Sequence, residues 1–586
     1  MKWDLTYLFE KEEDFEAGLN NLNSYIEKLK SLQGHLGEEE SFVEYVEVSR
    51  DFEEALGRVY QYASLRSDLN KKDVKNAEAL YRTQMVLYSA NEALSFVDPE
   101  LLSVGKEKLL SFIDNNKDIE EYRFHIIRLF DRNEHILSSR EEGLLSYYSS
   151  LAETGGELYS SLNVADGEGE KITLSNGKEV IVTKGNWTSL VESCDNEADR
   201  TSIFKAHFKT YEKNKNTYAG IYQAVLEADK ANMKARNYPS SVEMYLDRNK
   251  IPFIVYKNIV DVAGNNNESL KRYIKLREKV LGLKEYHTYD RFIQLAKSDK
   301  RYSYEEAKQL FFESVKKFPE DFSSKAHEVL RDGFVDVMEA EGKRTGAYSS
   351  GMANLHPYIL LNHDGTLDSC FTVAHEAGHS IHTLYAEEAQ PSMLQDYTIF
   401  VAEIASTFNE HNLLDYLLES GKASKEEKIM MIQKAIDSIV STFYRQTLFA
   451  EYELKAHELC EKDMPINYDV LSNIMIDLYK KYYGLDITCE ELKQYVWAYI
   501  PHLFYTPFYV YQYATSFAAS FKLYKDVKEN KPHAFERYTG LLKSGGSKYP
   551  MEQTKEAGVD FTKKDAFMAV VERMDYLVDE LEKLLK

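Results

Sequence analysis

The chain is poor in the residues that punctuate or staple a fold. Its 586 residues include only 11 prolines, 27 glycines and 4 cysteines. So little proline and glycine argues against a protein of many tight-turned sheets and for long helices. Cys194, Cys370, Cys460 and Cys489 are scattered without any CxxC pairing and read as reduced thiols of a cytoplasmic protein. No run of about 18 apolar residues occurs, so no membrane span is expected. The opening stretch MKWDLTYLFEKEEDFEAG is charged throughout and shows no apolar segment of a secretory signal. Positive charge is also scarce. With 72 Lys and Arg against 96 Asp and Glu, the net charge of −24 argues against nucleic acid as a partner, because phosphate binding needs a basic face.

What is present describes a soluble globular protein, with 44% hydrophobic and 29% charged residues. At this length two or more packed lobes are expected. Phe15, Leu19, Leu22, Ile26, Leu29 and Leu32 recur at steps of three and four, which marks one helix face, and similar periodicity runs through the first 165 residues. NVADGEGE (163–170) interrupts it, and KITLSNGKEVIVT then alternates around Asn176-Gly177 as a hairpin would. Helices resume to about residue 340. A second break, 342–368, holds Gly342, Gly346, Gly351 and Gly365 around the short apolar run PYILLN, the one other expected strand. The reading is a mostly α protein with a helical lobe over 1–165, a hairpin connection over 166–190 and a larger lobe over 191–586.

AHEAGHSIH, at residues 374–382, follows that strand. On a helix, residues i and i+4 share a face, so His375 and His379 can grip one ion, and the intervening Glu376 can serve as a general base. Catalytic zinc commonly takes a His₂Glu set and keeps one position for water. Glu403, 24 residues beyond His379 in FVAEIASTFNE, is a charge on an otherwise apolar helix, costly unless paired or coordinating, and is the expected third ligand. Glu410, two turns further on the same face, suits the orientation of an imidazole N–H or an ordinary salt bridge, and Asp368 stands near the start of the histidine helix. His382 reads as structural or supporting. His356 and His363 read as substrate-side or exposed. The alternative to all of this is a helix that is rich in histidine and binds nothing.

HEAGHSIH, FVAEIASTFNE, GAYSSG…PYILLNHDGTLD and the tyrosine-rich PHLFYTPFYVYQYATSF, in that order, resemble the oligoendopeptidase F branch of the thimet oligopeptidase family. The resemblance covers most of the chain. It implies a two-lobed, clam-like helical zinc peptidase with a deep channel and a few short strands, cutting internal bonds of short oligopeptides. It also implies one Zn²⁺ per chain on His375, His379 and Glu403, with Glu376 as base. His502 matches the family's histidine opposite the metal, and Tyr509, with Tyr513 near it, matches the tyrosine that binds the scissile oxygen. A further tyrosine of the thimet branch falls on Ser516, and the choice among Tyr505, Tyr509, Tyr511 and Tyr513 stays open.

Beside these assignments, PYILLN can pair with an extended peptide by β-augmentation, with Tyr358, Ile359 and Leu360 as contacts. Gly346, Tyr348 and Gly351 then lie in a loop that substrate backbone approaches closely. Partners are oligopeptides, with no nucleic acid and no membrane, in a monomer or weak homo-oligomer. Two other readings are a dipeptidyl carboxypeptidase-like exopeptidase and a non-catalytic helical peptide-binding protein. No anchor for a free amine is found, which disfavours an aminopeptidase.

Overall fold

Phe15, Leu19, Leu22, Ile26 and Leu29 all point into the core from helix α1 (Glu12–Ser31), the face that their spacing predicts. Helix α2 (Glu39–Leu69) packs along it and buries Phe42, Val46, Val59 and Leu65. Both belong to a computed structural model that describes every residue except Met1, Ser138 and Lys422. Helices dominate it from end to end, with a few short strands. Among the described residues no helix is long and apolar enough to cross a membrane.

Two compact units emerge, each assembled from separated stretches of chain. One comprises residues 1–134, 299–419 and 523–558, and the other 135–298, 420–522 and 559–586. The linear division at 165 and 190 read from the sequence does not coincide with these units. Long-range burial is the reason. Trp3 donates its indole N–H to Ile359 O at 2.8 Å, and the N-terminal helices share one hydrophobic core with Phe334, Leu355, Tyr358 and Leu360.

The expected hairpin is present in the second unit. Strands β1 (Glu170–Thr173) and β2 (Glu179–Val182) pair antiparallel. A turn closed by Gly177 N–H on Leu174 O joins them, and Gly177 takes φ +80°, a left-handed conformation that costs glycine nothing.

In the first unit the apolar run becomes one of three strands. β3 (Val335–Asp336), β4 (Tyr348–Met352) and β5 (Leu355–Leu360) form a sheet in the order β3-β5-β4. β5 therefore lies in the middle, parallel to β3 and antiparallel to β4. β3 is only two residues long and the Ser-Ser-Gly core of β4 carries little strand propensity, so pairing with β5 completes both strands.

Candidate metal centre

Helix α3 (Leu367–Ala389) carries the histidines. It starts at Thr366, whose hydroxyl accepts from Ser369 N–H, and its buried face includes Val373, Ala374, Ala377 and Ile381. His375 and His379 sit one turn apart and half-buried. Helix α4 (Ile399–Glu419) lies across it at very short range, and Gly378 permits this. A β-carbon at 378 would stand 2.6 Å from Ala405 O and 2.7 Å from Ser406 Cα, closer than real contacts allow. Aromatic packing backs the pair, with Phe408 of α4 stacked on Tyr538 of the helix Ala534–Lys543 at 3.9 Å.

The crossing brings Glu403 to the histidines. His375 Nε2 and His379 Nε2 are 3.2 Å apart, and Glu403 Oε2 is 3.5 Å from each. Ligands about 2.0–2.1 Å from a tetrahedral ion stand roughly 3.3–3.4 Å from one another, so this triangle has the dimensions of a zinc site. His375 Nδ1 lies 2.6 Å from Glu410 Oε1, so that the ring, once neutral, donates Nδ1–H there and presents its Nε2 lone pair towards His379. Two imidazole nitrogens facing each other beside a carboxylate suit a cation between them. Glu403 is held in turn by Ser406, whose Oγ lies 2.9 Å from Oε2. The sequence signal for Ser406 is its place one turn after Glu403.

Without a cation the charges act on one another. Burial pulls the His375 imidazole down, but the hydrogen bond and charge of Glu410, with Glu376 and Glu403 nearby, hold it up at about 9. Burial raises Glu403, yet His379 and His375 draw it to about 2. Burial raises the Glu376 carboxyl against the pull of the same two histidines.

Several expected neighbours lie elsewhere. Asp368 is exposed in the first turn of α3, about 10 Å of helix axis before His375, where it suits the helix dipole and is out of reach of the ligands. His382 is buried and stacked on Tyr397 at 3.6 Å, and burial drives its pKa to about 3, so it is a neutral packing residue. His363 is buried with Nε2 2.8 Å from Tyr302 O, and His356 packs on Phe334 with Nδ1 2.8 Å from Pro357 O. Neither is exposed.

The strand assignments also change. Tyr358, Ile359 and Leu360 are buried, and both edges of β5 are occupied, so this strand has no edge to offer a peptide. Ile359 and Leu361 give their N–H groups to Phe334 O and Asp336 O on the β3 side. By alternation Tyr358 and Leu360 pair with β4 at Ser350 and Tyr348, which turns the Ser349 backbone outward. β4 runs beside the ligand helix, with Ser349 Oγ 2.8 Å from Ser380 Oγ. Gly351 serves this packing, since a β-carbon there would meet Thr383 Cγ2 at 2.6 Å. Gly346 has φ +83° and open space around it. The Tyr348 hydroxyl donates to Asp68 at 2.8 Å, a structural contact.

In the second unit helix α5 (Arg445–Glu461) is mostly buried, and His502 stands on the one-turn helix α6 (His502–Tyr505). Helix α7 (Tyr511–Lys528) begins only after a break, so His502 and Tyr509 do not share a continuous helix. Pro507 and a left-handed Phe508 end the first helix. The rings nevertheless gather. His502 and Tyr509 are 6.0 Å apart and nearly parallel, and Tyr513 is 5.5 Å from Tyr509 and 6.0 Å from His502. Tyr511 is buried against Tyr256, Tyr505 is exposed beside Tyr159, and Ser516 is buried.

Comparison with known proteins identifies the family of the chain. The model of peptidase family M3 matches residues 190–573, and that of oligopeptidase F matches residues 100–168. The chain belongs to peptidase family M3. Group B oligopeptidase PepB of Streptococcus agalactiae is 34% identical over all of this chain and 97% of its own length, and oligopeptidase PepF of Bacillus subtilis is 36% identical over all of this chain and 87% of its own. Among solved structures, oligoendopeptidase-F from Enterococcus faecium superposes with a TM-score of 0.75 at 28% identity, covering 98% of this chain and 99% of that one. A structure from Chlamydophila abortus reaches a TM-score of 0.92 at 30% identity over 100% and 98%. The M3 chain described here is thus a mostly helical metallopeptidase that cleaves oligopeptides.

Proposed function

We propose that the protein is a zinc endopeptidase that hydrolyses internal bonds of short peptides. The observation that carries the reading is the triangle of His375 Nε2, His379 Nε2 and Glu403 Oε2, with sides of 3.2, 3.5 and 3.5 Å. Zinc in such a donor set supplies Lewis acidity and makes water acidic near neutral pH. The rest is work for this chain's own side chains. Glu376, next to His375 and raised by burial, accepts a proton from the attacking water and hands it to the leaving amine. Glu410 holds His375 in the tautomer that presents Nε2.

The outward backbone of Ser349 on β4, beside the ligand helix, offers an extended peptide an edge to pair with, independent of its sequence. His502, Tyr509 and Tyr513 are assigned to the oxyanion on the family resemblance, supported by the gathering of their rings. Four free cysteines fit the cytoplasmic location read from the sequence.

One experiment tests the reading. Purified protein is analysed for zinc and given an internally quenched peptide blocked at both ends. One zinc per chain and cleavage of an internal bond are expected, with both lost in His375→Ala/His379→Ala. Full zinc content in that double variant, or cleavage only of peptides with a free terminus, contradicts it.

A further inference from the structure

Between His502 and Tyr509 the backbone makes a turn that bulky residues rarely adopt. Phe508 has φ +55°, a region normally left to glycine or asparagine. The surroundings hold it there. Phe508 N–H donates to Glu453 Oε1 at 2.8 Å, across from helix α5. The Phe508 ring is buried against His457, 4.5 Å away, and Tyr245, 5.5 Å away.

Glu453 stands beside a buried polar cluster. One turn along α5, His457 Nδ1 bonds Glu453 O and Nε2 bonds Asp229 Oδ2, each at 2.9 Å. Asp229 also accepts from the Tyr245 hydroxyl at 2.7 Å. Glu453, His457 and Asp229 are all buried, and none has a part in the chemistry above. Burial pushes the Glu453 acid up to about 8, and a buried acid is costly; the hydrogen bond its side-chain oxygen makes in return is to one backbone amide. That amide belongs to the residue before Tyr509.

We propose that Glu453 is a positioning residue for the peptidase reaction: its side-chain oxygen Oε1 clamps Phe508 N–H, locks the left-handed turn and so sets the Tyr509 phenol beside His502. The proposal rests on the reading of Tyr509 as an oxyanion donor. It separates Glu453 from an ordinary buried acid because only the acceptor oxygen at that reach matters, and only through Tyr509.

Four variants assayed on the blocked quenched peptide decide it: Tyr509→Phe, Glu453→Gln, Glu453→Ala and the double Glu453→Ala/Tyr509→Phe. Glutamine keeps an acceptor oxygen, so Glu453→Gln stays within about threefold of wild-type kcat. Glu453→Ala loses at least about 30-fold in kcat, with KM and zinc content little changed. In the Tyr509→Phe background the same change removes less than about threefold more, since the phenol it positions is already gone. Losses that multiply in the double variant overturn the proposal, as does a normal Glu453→Ala beside a crippled Tyr509→Phe. A normal Tyr509→Phe shows instead that the reading of Tyr509 was wrong, and the proposal falls with it. Should Glu453→Ala not fold, Glu453→Asp replaces it. One methylene shorter, it keeps the acid group and loses the reach, and wild-type kcat in that variant refutes the clamp.

Discussion

Glu410 Oε1 lies 2.6 Å from His375 Nδ1, closer than any contact among the three ligand atoms themselves. The pair sets both the tautomer of the ligand and its proton affinity. In the metal-free protein His375 stands at about 9, above its ordinary 6.5. A raised histidine stabilises the fold fully below the ordinary value, and that contribution is lost as pH climbs through the folded one. Ligation requires the neutral ring, so cation binding releases this proton across the same window. Zinc affinity should therefore rise about tenfold per pH unit from pH 7 towards 9 and then level off. Chelator competition at several pH values measures it. Glu410→Gln should move the plateau to lower pH, and an affinity flat between 7 and 9 would contradict the assignment.

Glu376→Gln preserves shape and leaves the three ligands untouched while removing the proton acceptor. Turnover should fall by several orders of magnitude, because the base acts together with the water it deprotonates. Zinc content should be unchanged. Activity within about tenfold of wild type would mean that Glu376 is not the base.

Gly378→Ala probes the helix crossing. The added carbon would sit 2.6 Å from Ala405 O, so α3 and α4 must separate. Overpacking of this kind costs about 1–3 kcal/mol of stability. The larger effect should fall on zinc, since Glu403 rides on the helix that moves, and a drop of more than about tenfold in affinity is expected. Thermal melting and chelator titration read the two separately, and a variant with wild-type values in both shows that the crossing has slack.

Tyr509→Phe should lose about 10²–10³ in kcat, the size of one oxyanion donor, with KM, fold and zinc content nearly unchanged. Tyr511→Phe should be close to normal, because its ring is buried against Tyr256. A crippled Tyr513→Phe or Tyr505→Phe beside a normal Tyr509→Phe would keep the role and move it to another ring.

Helix periodicity made much of the centre legible from sequence. The pairing of His375 with His379 follows from i, i+4 spacing alone, and Glu403 stood out as an acid on an apolar face. What was not legible depends on residues far apart in the chain. Gly378 looks like filler in HEAGH until Ala405 is seen against it. PYILLN reads as a peptide-binding strand, yet Val335–Asp336 and Tyr348–Met352 close both its sides, one only two residues long and the other centred on Ser-Ser-Gly. His363 looks free until Tyr302 O is found 2.8 Å away. Pro507 hinted at a break before Tyr509, but nothing local announces a left-handed Phe508, because the amide that steadies it belongs to a turn answered from Glu453.

Order of synthesis gives the interleaved first unit a further meaning. A ribosome that has reached residue 522 has already delivered His375, His379, Glu403 and Glu410. It has not delivered 523–558, the stretch whose Tyr538 stacks on Phe408 behind the ligand helices. At the other end Trp3 waits more than half the chain for Ile359. The candidate donor atoms thus emerge early and acquire their backing late, so a chain cut short after 522 carries the whole His375–His379–Glu403 group without the layer that backs it.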